Sequence, residues 1–159
     1  MPVSEAGLYP VPDAAGYLTG EWTVERVLSD LAADREGAFH GTAVFRAADD
    51  GRLTHTEAGE LRWEGSTSPA GRTLVWVPAS DGTCEVLFSD GRFFHDLDLR
   101  TGHWTVSHPC AADSYEGRFD VVSRDEWRVC WRTTGPAKDH VQRSVYRRLP
   151  VPGTAARPV

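Results

Sequence analysis

"FFHDLDLRTGHWTVSHPC", residues 93–110, reads as two short β-strands joined by a turn at residues 100–103. Its apolar residues alternate with polar ones, which is the period of strands with one buried face. The residues predicted to face inward are Phe93, His95, Leu97, Leu99, Trp104, Val106 and His108. If the strands pair as a hairpin with Leu99 opposite Trp104, His95 lies opposite His108 on the buried face. A three-residue turn with a bulge at Gly102 would shift this pairing by one residue; we favour the first register because it keeps apolar residues together.

The same pattern of short strands and turns continues in both directions along the chain. Turn signals such as "ADDGR" (48–52), "SDGT" (80–83) and "SDGR" (89–92) recur at short intervals, which is typical of antiparallel hairpins. The strands predicted between them cover residues 20–28, 39–47, 53–63, 72–78, 83–89, 92–99, 104–109, 115–122, 126–133 and 141–148. We therefore predict an all-β fold, an antiparallel meander of 8–10 strands closed into a barrel, with one short helix in residues 12–18.

Length and composition predict one globular domain. The 159 residues are 40% hydrophobic and 25% charged, near the norm for such domains. We expect the barrel to occupy residues 1–149 and the Pro/Gly-rich residues 150–159 to form a disordered tail. No apolar run is long enough for a membrane helix, and a net charge of -6 with scattered arginines argues against a nucleic-acid partner.

The cysteines indicate a reducing compartment. Cys84, Cys110 and Cys130 are odd in number and lack a CxxC spacing, which favours free thiols over a disulfide framework. The first residues show no secretory signal pattern, so the expected location is cytoplasmic.

Two groups of residues resemble a known class of barrel. "GEWTVERVL" (20–28) is similar to the first-strand motif of lipocalins and the wider calycin group, and "SVYRRL" (144–149) supplies the last-strand arginine. More closely, "FFHDLDL", "WTVSHPCAADSYEGRF", "WRVCWRTTGPAKDH" and "SVYRR" resemble a lipocalin-like domain family of unknown function, over residues 17–148. The resemblance implies a barrel that binds a small molecule, with Trp22 packed against Arg147 or Arg148. Nitrobindins, more distant relatives in the calycin group, bind haem through a histidine.

The leading functional prediction is a cavity for one small hydrophobic or anionic molecule. Large apolar walls with few polar groups are what small-molecule sites need. The residues predicted to contact the ligand are Trp22, Arg26, Phe93, His95, Trp104, His108, Tyr115, Trp127, Trp131 and Lys138.

Three alternatives remain open at this point. The first is an isomerase, cyclase or hydrolase in which His95 or His108 is the base and Asp113 or Tyr115 the acid. The second is a haem or metal site, for which Cys110 is the only obvious third ligand. The third is a filled core in which both histidines are merely hydrogen-bonded. No metal site or cofactor motif is recognised, and the four other histidines, His40, His55, His103 and His140, are predicted at the surface.

Overall fold

The structure is a nearly closed ten-stranded antiparallel barrel with one short helix. The computed structural model describes residues 8–150, apart from the side chain of Cys110. Its elements are α1 (Ala14–Leu18), β1 (Gly20–Asp30), β2 (Arg35–Ala47), β3 (Leu53–Trp63), β4 (Ser66–Pro78), β5 (Cys84–Phe88), β6 (Phe93–Leu97), β7 (His103–Cys110), β8 (Asp113–Ser123), β9 (Glu126–Gly135) and β10 (Lys138–Arg148). The predicted fold class is confirmed. Except for Pro150, the predicted tail 150–159 lies outside the described residues. Among the described residues, no helix has the length and apolar character needed to traverse a bilayer.

The strands follow one another in a meander, with one seam. The order in the sheet is β6-β5-β4-β3-β2-β1-β10-β9-β8-β7, so β6 and β7 are its two edges. At the seam between them the indole of Trp104 donates to the carbonyl of Asp96 at 2.8 Å. The predicted hydrogen-bonded hairpin of these two strands is therefore wrong.

The N-terminal segment explains why that hairpin does not form. The amide of Val11 donates to the carbonyl of Leu99, and the amide of Tyr9 donates to the carbonyl of Val121, each at 2.9 Å. The bond to Leu99 engages the backbone between β6 and β7, and the bond to Val121 ties the same segment to β8. His95 consequently pairs with Val86 of β5, whereas His108 pairs with Tyr115 of β8.

Helix α1 closes the end of the barrel at which β1 begins. Ala14 and Leu18 are fully buried, and the amide of Ala14 donates to the carbonyl of Gly82 at 3.0 Å. Gly82 has φ +91, and a Cβ there would lie 1.8 Å from the carbonyl oxygen of Pro12. Only glycine fits this contact between the N-terminal segment and the β4–β5 loop.

The predicted pairing of Trp22 with a last-strand arginine is present, and Arg148 is the partner. The Trp22 indole is fully buried and donates to the carbonyl of Leu18 at 2.9 Å. The Arg148 guanidinium carbon lies 4.2 Å from the Trp22 ring centroid. Strand register decides between the two arginines, since Trp22 is opposite Arg148 while Arg147 turns outward to Glu126 at 3.0 Å.

The opposite end and one side of the barrel stay open. Strands β5 and β6 have only five residues each, and β5 covers β4 only along Leu74–Pro78. Residues 66–73 of β4 therefore pair with β3 alone. On that stretch the inward positions Ser68 and Arg72 are solvent-accessible, so water reaches the upper half of the interior.

A bulge in the short hairpin corrects the predicted orientation of Phe93. Leu87 pairs with Phe93 and Val86 with His95, so Phe94 is an extra, unpaired residue. The extra residue reverses the alternation beyond it. Phe93 is therefore 51% exposed, and Phe94 takes the inward position instead.

Replacing Trp22 with alanine should lower the free energy of unfolding by about 3–5 kcal/mol, because it leaves a large cavity between α1 and Arg148. Urea denaturation measures the change. The matched control is Val27→Ala, on the exposed outer face of the same strand, with an expected cost below about 1 kcal/mol. Similar costs for the two variants would contradict the role given to Trp22.

Candidate functional site

The centre of the barrel holds a buried carboxylate, Glu57 of β3. Its side chain is fully buried, yet both oxygens are satisfied. Oε1 accepts from Arg26 at 2.9 Å and from Arg72 at 3.1 Å. Oε2 accepts from His55 at 2.9 Å and from the Tyr146 hydroxyl. Four strands, β1, β3, β4 and β10, thus meet at one carboxylate.

The two arginines differ in exposure. The Arg26 side chain is 8% exposed; its Nε donates to the Ser144 hydroxyl at 2.7 Å and its Nη2 to the Tyr146 hydroxyl at 2.9 Å. The Arg72 side chain is 37% exposed, and its Nη2 lies 3.4 Å from the Tyr146 hydroxyl. Arg72 is therefore the member of the cluster that solvent or a ligand can reach.

Hydrogen bonding fixes the protonation of His55. The Trp76 indole N–H, which can only donate, lies 3.2 Å from Nδ1 of His55. Nδ1 is therefore the acceptor, and Nε2–H donates to Glu57. The ring also stacks on Phe45, with centroids 4.1 Å apart.

Burial and charge set the ionisation of the cluster. Burial alone would raise the pKa of Glu57, but the hydrogen bond from His55 and the charges of Arg72 and Arg26 outweigh it and hold this pKa well below its usual range. Burial lowers the pKa of His55 below 6.5. Burial and the adjacent carboxylate raise the pKa of Tyr146 to about 12. At neutral pH the cluster holds two guanidinium cations, one carboxylate and two neutral groups.

An apolar pocket of about 330 Å³ lies in the open end of the barrel. Leu28 is the next inward residue beyond Arg26, Gln142 is the next beyond Ser144, and Leu61 is the second beyond Glu57. The full lining is Leu28, Ser29, Asp30, Leu61, Trp63, His140, Val141 and Gln142. Along β1, β3 and β10, the inward positions thus run from the polar cluster to this pocket and on to the open end.

Three stacked rings form part of the interior wall. Phe94 stacks on Phe88 with centroids 4.5 Å apart and on Trp131 with centroids 5.1 Å apart. The Trp131 ring lies flat over Gly117 of β8, where a Cβ would come within 2.7 Å of it. Glycine at this position lets Trp131 reach across β8 toward the seam.

His95 and His108 border a cleft of about 230 Å³ at the seam. His95 is 4% exposed and its Nδ1–H donates to the carbonyl of Asp96 at 2.7 Å, which leaves the Nε2 lone pair available. Burial lowers the pKa of His95. The Phe94 ring lies against both imidazoles, at 4.8 Å from His95 and 6.1 Å from His108.

The other predicted site residues fall in three places. Trp22 and Trp127 are buried, with ring centroids 6.2 Å apart, in the core near the closed end. Trp104 lies half-buried at the seam. At the open end, Lys138 forms an ion pair with Asp113 at 3.1 Å, and Tyr115 neighbours His108. Only some of the predicted residues therefore share one space.

Sequence reasoning missed His55, Glu57 and Arg72. The prediction of His55 at the surface is wrong, since it is 1% exposed. The available signal was strand alternation: His55 and Glu57 have the same parity as Leu53, and Arg72 has the same parity as Leu74 and Trp76. Arg26, by contrast, was predicted to face inward and does so.

No group of three or more His, Cys, Asp or Glu side chains within the described part of the chain is arranged to hold a metal ion. The side chain of Cys110, the third ligand considered from the sequence, lies outside that part. The thiols of Cys84 and Cys130 are free.

These features define a class, a small antiparallel β-barrel sealed at one end and accessible at the other, with a polar cluster inside. The chain belongs to a family of unknown function (DUF6314), whose profile matches residues 18–148. The predicted membership of a barrel family of unknown function is thus confirmed. No curated protein matches the sequence significantly.

Solved structures that share the fold include a lyase and a protein of unknown function. The S-type phycobiliprotein lyase CPES from Guillardia theta is 12% identical and superposes with a TM-score of 0.68, covering 94% of this chain and 99% of the lyase. A protein of unknown function from the DUF3598 family of Nostoc punctiforme is 13% identical with a TM-score of 0.53; the match covers 94% of this chain and 53% of that protein.

The buried histidines predict a loss of stability in mild acid. The unfolded chain takes up protons at His55 and His95 as the pH falls through about 6.5, whereas the folded chain resists. Each site should therefore lower the free energy of unfolding by up to about 1.4 kcal/mol per pH unit below 6.5, with full stability above it. Urea denaturation between pH 8 and pH 5.5 is the measurement.

Two variants separate the buried histidines from exposed ones. His95→Gln should reduce the slope of unfolding free energy against pH by the contribution of one titrating group. His40→Gln, on the exposed outer face of β2, should leave this slope unchanged. An equal slope in wild type and His95→Gln would show that His95 titrates alike in both states.

Proposed function

We propose that this protein is a calycin-type barrel that binds one small, largely hydrophobic molecule, admitted through the end opposite α1. The observation that carries the proposal is the contrast between the two halves of the interior. The half near α1 is packed and dry, with Trp22, Phe45 and Val86 almost fully buried. The other half has accessible inward residues at Ser68, Ala70 and Arg72.

The interior of the open half suits such a ligand. Its pocket of about 330 Å³ is at the lower end of the usual range for small-molecule sites. Leu28, Leu61 and Trp63 supply apolar surface, and the stack of Phe88, Phe94 and Trp131 supplies flat aromatic surface on which a ring can pack.

We expect two inward polar groups outside the lining of this pocket to orient the molecule. His95 offers a bare Nε2 to a ligand N–H or O–H group, because its other nitrogen is already committed to Asp96. Arg72 offers guanidinium N–H groups beyond those bound to Glu57 and Tyr146. Small-molecule sites typically combine apolar walls with a few such fixed polar groups.

The structural likeness to a phycobiliprotein lyase is consistent with this proposal through the fold alone. Acid-base catalysis by His95 or His108, and haem or metal binding, remain predictions from the sequence. The cytoplasmic location also remains a prediction, with the free thiols of Cys84 and Cys130 in its favour.

Binding of the neutral fluorescent probe phenylnaphthylamine tests the proposal. Wild type should bind it saturably with increased emission. Ala70→Trp, which places an indole at an inward position of β4, should weaken binding by about tenfold or more by filling the interior. Thr73→Trp adds the same side chain to the exposed outer face of the same strand and should leave binding unchanged.

The two tryptophan variants also show how the proposal fails. If wild type gives no saturable binding, or if Ala70→Trp and Thr73→Trp weaken binding equally, the interior is not the binding site. Circular dichroism and urea denaturation of both variants confirm that each is folded before binding is compared.

A further inference from the structure

We propose that the molecule bound in the barrel is a monocarboxylate, whose carboxylate sits on the Arg72 guanidinium while its apolar body occupies the open half. This inference rests on the proposed binding function and adds the chemical class of the ligand. It follows from the charges inside the barrel, the free donors of Arg72 and the apolar surroundings.

The interior cluster carries one surplus positive charge. Arg26 and Arg72 are cations, and Glu57 is the only carboxylate in ion-pair contact with either among the described residues. The neighbouring polar side chains add no compensating charge. His55 is neutral because its Nδ1 accepts from Trp76, and Tyr146 keeps its proton, which it donates to Glu57.

Two carboxylates at the rim pair with other cations. Asp113 pairs with Lys138 at 3.1 Å, and Glu64 pairs with Arg35 at 2.9 Å. Among the described residues, neither of these carboxylates forms an ion pair with Arg72. The exposed edge of Arg72 is therefore available to an anion that enters from the open side of the barrel.

The donors of Arg72 select a carboxylate. Nε donates to Glu57 and Nη2 lies at long range from Tyr146, whereas Nη1 donates to no described side chain or backbone group. A guanidinium edge with two N–H groups matches the two oxygens of a planar carboxylate. Arg26 cannot serve in this way, because its side chain is 8% exposed and its Nε and Nη2 already donate inside the cluster.

The surroundings limit the charge of the ligand to one. A single carboxylate cancels the surplus, whereas a second would lie among apolar residues such as Leu28, Leu61 and Trp63, which line the pocket, or near the buried Glu57. An unpaired charge there would be strongly disfavoured. The ligand class is therefore a monoanion with an apolar, preferably aromatic, body.

Paired probes that differ only in charge test this. Naphthoate and naphthamide share one ring system, and their affinities are measured by displacement of phenylnaphthylamine. Wild type should bind naphthoate at least about tenfold more tightly than naphthamide. Arg72→Gln should remove this preference, and Arg72→Lys, which keeps the charge without the planar edge, should restore part of it.

Arg143→Gln is the matched control, because it removes one positive charge from the exposed outer face of β10. It should keep the full preference for naphthoate. Arg72→Gln leaves Glu57 bonded to Arg26, His55 and Tyr146, and its urea midpoint shows whether it is folded.

The possible failures are distinguishable. Equal binding of naphthoate and naphthamide by wild type, with phenylnaphthylamine still excluded by Ala70→Trp, overturns the carboxylate and leaves the binding function standing. Equal loss of the preference in Arg72→Gln and Arg143→Gln assigns it to net charge rather than to Arg72 and also overturns the inference. If neither naphthoate nor naphthamide binds, and Ala70→Trp does not weaken the binding of phenylnaphthylamine, the binding function fails as well.

Discussion

The buried carboxylate of Glu57 is the point on which the rest of this barrel depends. It accepts hydrogen bonds from side chains of β1, β3, β4 and β10, and those strands bring together residues far apart in the sequence. A charge at this depth is tolerated only because each carboxylate oxygen accepts two hydrogen bonds and two guanidinium groups lie beside it. Removing the carboxylate would leave the buried Arg26 beside Arg72 without an anion, so the four strands and the charge balance are coupled.

The cluster also divides the interior into a packed part and a part that water can enter. On its α1 side, the Trp127 ring packs edgewise with Trp22 at 6.2 Å and with Phe45 at 6.3 Å between ring centroids. On its other side the wall is incomplete, because the β5–β6 hairpin stops short of the first half of β4. Packing energy therefore comes chiefly from the sealed half, and side chains of the accessible half do not have to fill the space between the strands.

The sequence predicted the strands well and the site only in part. Alternation over a dry core marks strands clearly, which is why β3 has the predicted bounds of 53–63. The first residues of β2 and β4, 35–38 and 66–71, were missed because they lie where the interior is wet and the alternation fades. Parity also predicted the inward position of Trp22, whereas the choice between Arg147 and Arg148 required the register of β1 with β10. A bulge is a local change of register that alternation cannot detect, and for this reason Phe93 was placed inside in error.

His55 and Glu57 were missed for a different physical reason. Strand patterns are usually read with polar residues facing solvent. A buried ion cluster breaks that rule, because its polar residues find their partners on strands that are distant in sequence. Arg26, Arg72 and Tyr146 can be recognised as partners only once the barrel has closed and their inward positions are superimposed. Such a cluster contributes less to stability than well-packed apolar residues would, so the packed aromatic core near α1 contributes more to stability than these ions do. Glu57 balances one of the two guanidinium charges in the cluster. The second positive charge has no partner carboxylate among the described residues, and Arg72 is the cluster member that solvent reaches.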